Sequence, residues 1–265
     1  KIQYNPTSLH LTQLKGHLGS NFNFAGDVTI KHGGIKPKIN AVLSLKSLNV
    51  NTLLASHQIN SYPEAKVFLV SKKDVPSSSK WSNDPLDFTI LNKFDGNFQI
   101  TADQLTNKII AISNPKLTAV IENGLLTVSS LTGSIFEGSF VSMGHLSSKN
   151  DIKIHMTLKD ANLKGLPTQG SNVKIVAGKL FVSTNLTSRG KNMQALVQNL
   201  TGPLRISAKN GVINGFSLQE LSQRLGDLKN PASLLGLLNT SMGKGQTPFS
   251  SFLSEITFNQ GVGTI

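Results

Sequence analysis

Apolar and polar residues alternate along most of the first 160 positions. Phe22 and Phe24, Val28 and Ile30, then Ile39, Ala41, Leu43 and Leu45 are separated by Asn, Ser, Thr and Lys. That is the period-two spacing of a strand with one apolar and one polar face. The pattern returns at Phe98, Ile100 and Ala102, at Ile110 and Ile112, at Leu117, Ala119 and Ile121, and at Ile152, Ile154, Met156 and Leu158. Gly-Gly, Asn-Pro and Asn-Gly dipeptides between these runs read as turns, so each strand is expected to pair antiparallel with its sequence neighbour. Asn123-Gly124 is the strongest hairpin signal. After Gly190 the spacing changes to the helical period. Met193, Leu196, Val197 and Leu200 predict one amphipathic helix, Leu218, Leu221 and Leu225 a second, and Leu234, Leu235, Leu237 and Leu238 a short third behind Pro231. The class expected is mainly β with minor α, its helices lying between residues 192 and 240.

A short strand exit occurs three times: Leu48-Asn49-Val50-Asn51-Thr52-Leu53, Ala161-Asn162-Leu163-Lys164-Gly165-Leu166 and Phe216-Ser217-Leu218-Gln219-Glu220-Leu221. In each, Asn or Ser stands where a helical turn needs an N-cap. Upstream, Leu14-Lys15-Gly16-His17-Leu18 and Leu131-Thr132-Gly133-Ser134-Ile135 lead to Gly26 and Gly144, then to Leu43-Ser44-Leu45-Lys46 and Met156-Thr157-Leu158-Lys159. Leu200-Thr201-Gly202 opens a shorter third copy. Ordered agreement at several positions per copy points to duplication. The units expected are residues 1–70, a partial first strand repeat; 71–80, a polar, Ser-rich linker; 81–170, a second strand repeat; and 171–265, a truncated C-terminal strand and helix unit.

Composition changes this picture little. The 38% apolar content supports a folded core, and no run approaches the roughly 18 to 20 apolar residues of a transmembrane helix. The chain starts at Lys1 without a signal peptide and stops where a new strand reads as beginning, so it is expected to be a slice of a longer protein. A net charge of +12 allows attraction to anionic headgroups or nucleic acid. The charge is dispersed and the 16 aromatic residues form no basic-aromatic stripe, which argues against nucleic acid as a partner.

The unusual feature is the ratio of elements. Many strands each offer an apolar face, and the few helices cannot cover them all. Such a face is buried against a second sheet, against the same sheet curled on itself, against another chain or against lipid.

Lys80-Trp81-Ser82-Asn83-Asp84-Pro85-Leu86-Asp87 resembles the Trp-Ser-x-x-Pro-Leu-Asp segment of the AsmA-like family of bacterial envelope proteins. The stretch from Gly190 through Leu196 and Leu200-Thr201-Gly202 to Asn210-Gly211-Val212-Ile213-Asn214-Gly215-Phe216-Ser217-Leu218 is similar to that family's C-terminal hallmark. So are Thr247-Pro248-Phe249-Ser250 and Phe258-Asn259-Gln260-Gly261-Val262. The resemblance implies repeated antiparallel strands in a long, twisted, curved, groove-like sheet. It also implies an inner-membrane anchor helix outside this sequence, a periplasmic location in a Gram-negative bacterium, and a part in outer-membrane biogenesis. On that reading the partners are phospholipid acyl chains moving between the membranes. The alternative is a scaffolding module that assists outer-membrane protein assembly or targeting, with assembly proteins as partners.

Candidate groove residues are Phe22, Phe24, Leu43, Leu45, Phe98, Ile100, Ile110, Ile112, Ile154 and Met156. Periodicity alone favours a closed sandwich core built from the same residues, and it is the family resemblance that shifts the balance to a groove. Catalytic signals are sparse. The six histidines, His10, His17, His32, His57, His145 and His155, share no metal-ligand spacing, and there is no cysteine, nucleophile elbow or phosphate loop. Asp84 and Asp87 form the closest acid pair, in a segment of turn residues. The expectation is a non-enzymatic protein with no cofactor and no metal.

Overall fold

The computed structural model describes residues 1–18, 22–49, 81–107, 110–166, 174–219, 222 and 242–265. Thirteen strands form one sheet in sequence order. They are β1 (Ile2–Asn5), β2 (Ser8–Leu18), β3 (Phe22–Lys31), β4 (Lys38–Asn49), β5 (Asp95–Thr106), β6 (Ala111–Glu122) and β7 (Leu125–Ile135). Then follow β8 (Gly138–Ser147), β9 (Asp151–Asn162), β10 (Lys174–Arg189), β11 (Gly202–Phe216), β12 (Met242–Asn259) and β13 (Val262–Thr264). One short helix, α1 (Met193–Gln198), and two 3-10 turns, Thr89–Asn92 and Leu163–Gly165, complete the described elements. Among the described residues no pairing joins β13 back to β1, so the sheet is open.

Neighbouring strands are antiparallel with one exception. β4 and β5 run parallel, from Lys38 opposite Asp95 to Asn49 opposite Thr106. This corrects the expectation of an antiparallel sheet throughout; the crossover spans residues 50–94, of which 50–80, including the linker expected at 71–80, lie outside the described residues. Asn123-Gly124 does make the expected hairpin turn: both residues take left-handed φ, 52° and 79°, and Glu122 pairs with Leu125. Asn114-Pro115, read as a turn, is not one, and it shares its backbone geometry with Asn210-Gly211, which lies in a strand as expected from the sequence. Asn114-Pro115 and Asn210-Gly211 lie inside β6 and β11, where Asn114 (φ 50°) and Asn210 (φ 51°) each absorb an extra residue in the ladder.

The duplication is legible in the register. Gly16, Phe24 and Leu45 stand opposite one another across β2, β3 and β4, and Gly133, Phe140 and Leu158 do the same across β7, β8 and β9. The irregularity between Leu11 and Leu14 in β2 recurs between Val128 and Leu131 in β7. Of the three exits, the second caps as expected: Asn162 Oδ1 accepts from Lys164 N at 3.1 Å and opens the 3-10 turn. β11 ends at Phe216, and residues 218 and 219 beyond Ser217 are helical. The continuation after Asn49 lies outside the described residues, as do most of the second predicted helix and all of the third. The first predicted helix is shorter than its apolar spacing suggested. It ends at Gln198 because Asn199 leaves helical geometry and Gly202 already starts β11.

Substantial contacts between strands run only between sheet neighbours. No second sheet lies on the first among the described residues, and this leaves the apolar side as the feature to explain.

Candidate functional site

Residues directly opposite one another across a ladder share a face, so the register defines the apolar side strand by strand. One row runs Leu11, Val28, Ala41, Phe98, Ala119, Val128, Gly144, Ile154 and Leu186 from β2 to β10. The row beside it runs Leu14, Gly26, Leu43, Ile100, Leu117, Leu131, Ser142, Met156, Thr184, Leu204 and Ile256 from β2 to β12. A third holds Leu9, Ile30, Ile39, Gly96, Ile121, Leu126, Leu146, Ile152 and Ser188. With strands about 4.8 Å apart, the nine strands of the first and third rows carry them for roughly 38 Å, and the eleven of the second for roughly 48 Å.

Most candidate residues fall on this face. Phe24 opposes Leu45, Leu43 opposes Ile100, Phe98 opposes Ala41, and Ile154 and Met156 stand in the first two rows. Leu45 is buried, while Phe24, Leu43, Phe98, Ile100 and Met156 are half-buried. Phe22 opens β3 opposite Leu18, and its side chain lies outside the described residues. Ile112 is buried in a tight cluster with Ile135, Phe140, Leu158 and Ala161, flanked by Leu105, Leu131 and Met156. Ile110 is misplaced by the period-two reading. It precedes β6 in the β5–β6 turn, where its N–H bonds Asn107 Oδ1 at 2.7 Å, and it is exposed.

Gly144 interrupts the first row. A side chain there would lie about 2.1 Å from the Lys153 carbonyl oxygen, so the ladder between β8 and β9 requires glycine. Beside it is a hollow of about 250 Å³ lined by Leu126, Val128, Leu131, Leu146, Ile152 and Ile154 together with Ser142, Met143, His145 and Lys153. Ile154 keeps 43% of its surface exposed beside it. A larger hollow of about 440 Å³ lies on the opposite face, among His145, Asp151, Lys153 and Arg189. Its charged lining suits water, not hydrocarbon. There the Arg189 guanidinium, hydrogen-bonded to Asp151, holds the Asp151 carboxyl below the usual carboxylate range and raises its own pKa. Arg205 pairs with Glu255 on the same side at 3.2 Å.

One end of the apolar face is walled. Ser188, in the row of Ile152, donates its hydroxyl to Leu196 O at 2.5 Å, which seats α1 on the apolar side with Leu196 buried. Asn192 caps the helix by accepting from Ala195 N at 2.7 Å. The segment 82–87 docks on the start of this helix. Leu86 N donates to Lys191 O (2.8 Å), Gln194 N donates to Ser82 O (3.1 Å), and Pro85 bridges to Asn192. Asn150, in the β8–β9 turn with φ 62°, donates to Leu86 O (2.9 Å) and Gly190 O (3.2 Å) and so ties three segments together. The described residues of the two sequence motifs, 82–87 and 190–196, therefore meet. Sequence reading missed this because the contacts are mostly made by the backbone. Trp81, which precedes this segment, is half exposed.

Among the described residues no three His, Asp or Glu side chains are grouped to hold a metal, and no helix is long and apolar enough to cross a membrane. Fold and face together define the class: an open, largely antiparallel single-layer sheet, apolar along one side from β2 to β12. The chain belongs to the AsmA family, whose model matches residues 4–265. Membership points, at a coarse level, to the bacterial envelope, to outer-membrane biogenesis and to lipid transport. No curated protein and no solved structure matches the chain.

Proposed function

We propose that the apolar rows carry phospholipid acyl chains between the inner and outer membranes, the sheet curving into a groove around them. The protein would act in the periplasm of a Gram-negative bacterium, held to the inner membrane by an anchor beyond this sequence, and would perform no covalent step. The observation that carries this reading is the continuity of the rows across nine or more strands with no second layer on them among the described residues. A bilayer's hydrocarbon core is about 30 Å thick, so one acyl chain reaches roughly 15 Å. A row of roughly 38 Å exceeds two such lengths, which suits a track better than a pocket.

Burial of one methylene is worth about 0.8 kcal/mol. A chain touching several side chains is thus retained, and it moves by exchanging like contacts for like. The polar breaks at Ser142 and Thr184 do not stop it. Thr184 is buried and its hydroxyl is satisfied by Pro203 O at 2.7 Å, so it presents its methyl group at low cost. Native mass spectrometry of the purified protein tests the reading: phospholipid should travel with it, and delipidated protein should take lipid up from vesicles. Protein that never carries lipid rejects it.

The buried cluster of Ile112, Ile135, Phe140, Leu158 and Ala161 favours a second reading, in which this face is closed by protein and the chain is a scaffold for outer-membrane protein assembly. Under that reading substitutions in the rows unfold the protein and lipid is absent.

A further inference from the structure

The two copies of the duplicated unit differ at one level of the apolar face. Along β3 that face shows Phe24, Gly26, Val28 and Ile30, and along β8 it shows Phe140, Ser142, Gly144 and Leu146. The ladders match the two sets one to one. Gly26 lies between Leu14 and Leu43 as Ser142 lies between Leu131 and Met156, and Val28 lies between Leu11 and Ala41 as Gly144 lies between Val128 and Ile154. The sequence pairing of Gly26 with Gly144 is thus one level out, and the counterpart of Gly144 is Val28.

This exchange coincides with a change of surface. Beside Val28 the partner on the next strand, Ala41, is 5% exposed, whereas beside Gly144 the partner, Ile154, is 43% exposed. Ala119, another small residue of the same row, is 3% exposed, so its neighbours close over it. The hollow of about 250 Å³ is bounded by Gly144 and by both its ladder partners, Val128 and Ile154. Ser142 borders it with its hydroxyl turned back to the ladder, donating to His155 O at 3.1 Å. Met143, His145 and Lys153 also reach it, but they occupy the alternate positions that belong to the opposite face. An apolar cavity of about 150 Å³ admits a group the size of benzene, so this hollow has room for a short length of hydrocarbon.

We infer that the Gly144 hollow is a specificity site on the lipid track, taking the apex of an acyl chain with a fixed bend, such as a cis double bond, in preference to a straight saturated chain. The inference rests on the proposed carriage of acyl chains along the rows. From Val128 to Ile154 the row has no side chain for two strand spacings, about 10 Å. A straight chain bridges that interval and leaves the lining of the hollow without partner atoms, which forfeits dispersion energy. A saturated chain fills the hollow only by giving up conformational freedom, and a chain whose bend is covalent enters without that loss. In the first copy Val28 occupies the same place, and chains of both kinds lie over it alike.

The test offers delipidated protein an equimolar mixture of two phosphatidylglycerols of equal chain length, one saturated and one cis-monounsaturated, in vesicles above the melting temperature of both. Native mass spectrometry reads the bound lipid. The unsaturated lipid should be enriched by about tenfold, the worth of one or two further methylenes buried. Ser142→Leu, which sets an apolar side chain into the hollow and leaves Gly144 and its ladder alone, should abolish the preference with both lipids still bound. Methyl NMR of the parent reads the same site without a substitution. Shifts that differ between the two lipids should fall on Val128, Ile152 and Ile154, and Val28 should respond alike to both. Binding of neither lipid rejects carriage itself and this inference with it. Equal binding of the two by the parent, a preference undiminished in folded Ser142→Leu, or differences as large at Val28 as at Ile154 leaves carriage standing and overturns the hollow as its specificity site.

Discussion

Replacing Ile154 by Asp separates an open lipid-bearing face from a closed protein core, provided Leu158→Asp is measured beside it. The two residues are on the same strand and the same side, two rows apart, but their surroundings differ: Ile154 is 43% exposed and Leu158 only 7%. Full burial of an Ile is worth about 1.5–3 kcal/mol, so what Ile154 now contributes is about 1–2 kcal/mol. Its carboxylate replacement stays in reach of water beside the Gly144 hollow and avoids the several-kcal/mol cost of a buried charge. Leu158→Asp loses about 2–5 kcal/mol of packing in the cluster with Ile135 and Phe140 and adds a buried charge. That sum rivals the whole stability of a domain, about 5–15 kcal/mol.

Urea denaturation should therefore show Ile154→Asp folded with a modestly lower midpoint and Leu158→Asp unfolded. Lipid retention should reverse the emphasis. An acyl chain lying along the row loses three or four methylene contacts at Ile154, about 2–3 kcal/mol, or roughly 50-fold in retention. It must also strip water from the new carboxylate. Native mass spectrometry of folded Ile154→Asp should find it depleted of phospholipid relative to the parent. Lipid retained undiminished by Ile154→Asp, or an Ile154→Asp protein as unfolded as Leu158→Asp, would refute the reasoning.

Gly96→Ala places a Cβ about 2.1 Å from Ile39 O and should cost more than about 2 kcal/mol by forcing β4 and β5 apart, whereas Gly34→Ala, whose nearest neighbour is Lys36 O at 3.5 Å, should be near neutral in the same denaturation series. Asn162→Ala removes the cap accepting from Lys164 N and should lower stability by about 1 kcal/mol. Asn150→Gly keeps the left-handed backbone but loses the bonds to Leu86 O and Gly190 O, so limited proteolysis should cut within 82–92 faster than in the parent. The Asp151 carboxyl is depressed when folded, so its contribution is present above about pH 4 and is lost as pH falls through the lower folded value. Acid melts should show a small loss there that Asp151→Asn lacks.

What the sequence disclosed and what it hid follow from what each signal encodes. Alternation reports which side a residue faces, and so Leu43, Ile100 and Met156 were placed on one side before any register was known. It carries no direction, and the parallel pairing of β4 with β5 was invisible. A left-handed Asn serves a hairpin at Asn123 and a bulge at Asn114 or Asn210, since both need positive φ, and the dipeptide alone does not distinguish them. Ile110 matched the alternation but fell one residue outside the strand. The docking of 82–87 on α1 left no pattern, because carbonyl and amide groups are present at every residue. Its one readable trace was Asn150 in a turn, a polar side chain able to bond several backbones at once.

The irregularities also bear on the proposed curvature. Along β6 the inward residues run Ile121, Ala119, Leu117 and Pro115 and then step three places to Ile112; β9 makes the same step from Leu158 to Ala161, past Asp160 with φ 57°. In β2 and β7, equivalent strands of the duplicated unit, the step falls two levels away, between Leu11 and Leu14 and between Val128 and Leu131. A bulge absorbs the extra residue, keeps the next apolar side chain on the same face and bends the strand that bears it. Random irregularities would fall at unrelated heights and cancel. In β2 and β7 they share one height and in β6 and β9 another, while those of β10 and β11 fall elsewhere; bends at a shared height would add along lines parallel to the direction an acyl chain would travel, which supports the proposed curvature. A bend repeated along such a line folds a single-layer sheet toward one side, and the face that can close without straining the ladder is the one whose small residues, Ala41, Ala119, Ala161 and Ala208, leave room between larger neighbours. That face is the apolar one, and under the proposed curvature duplication of the bulged unit would lengthen the crease without requiring any new contact.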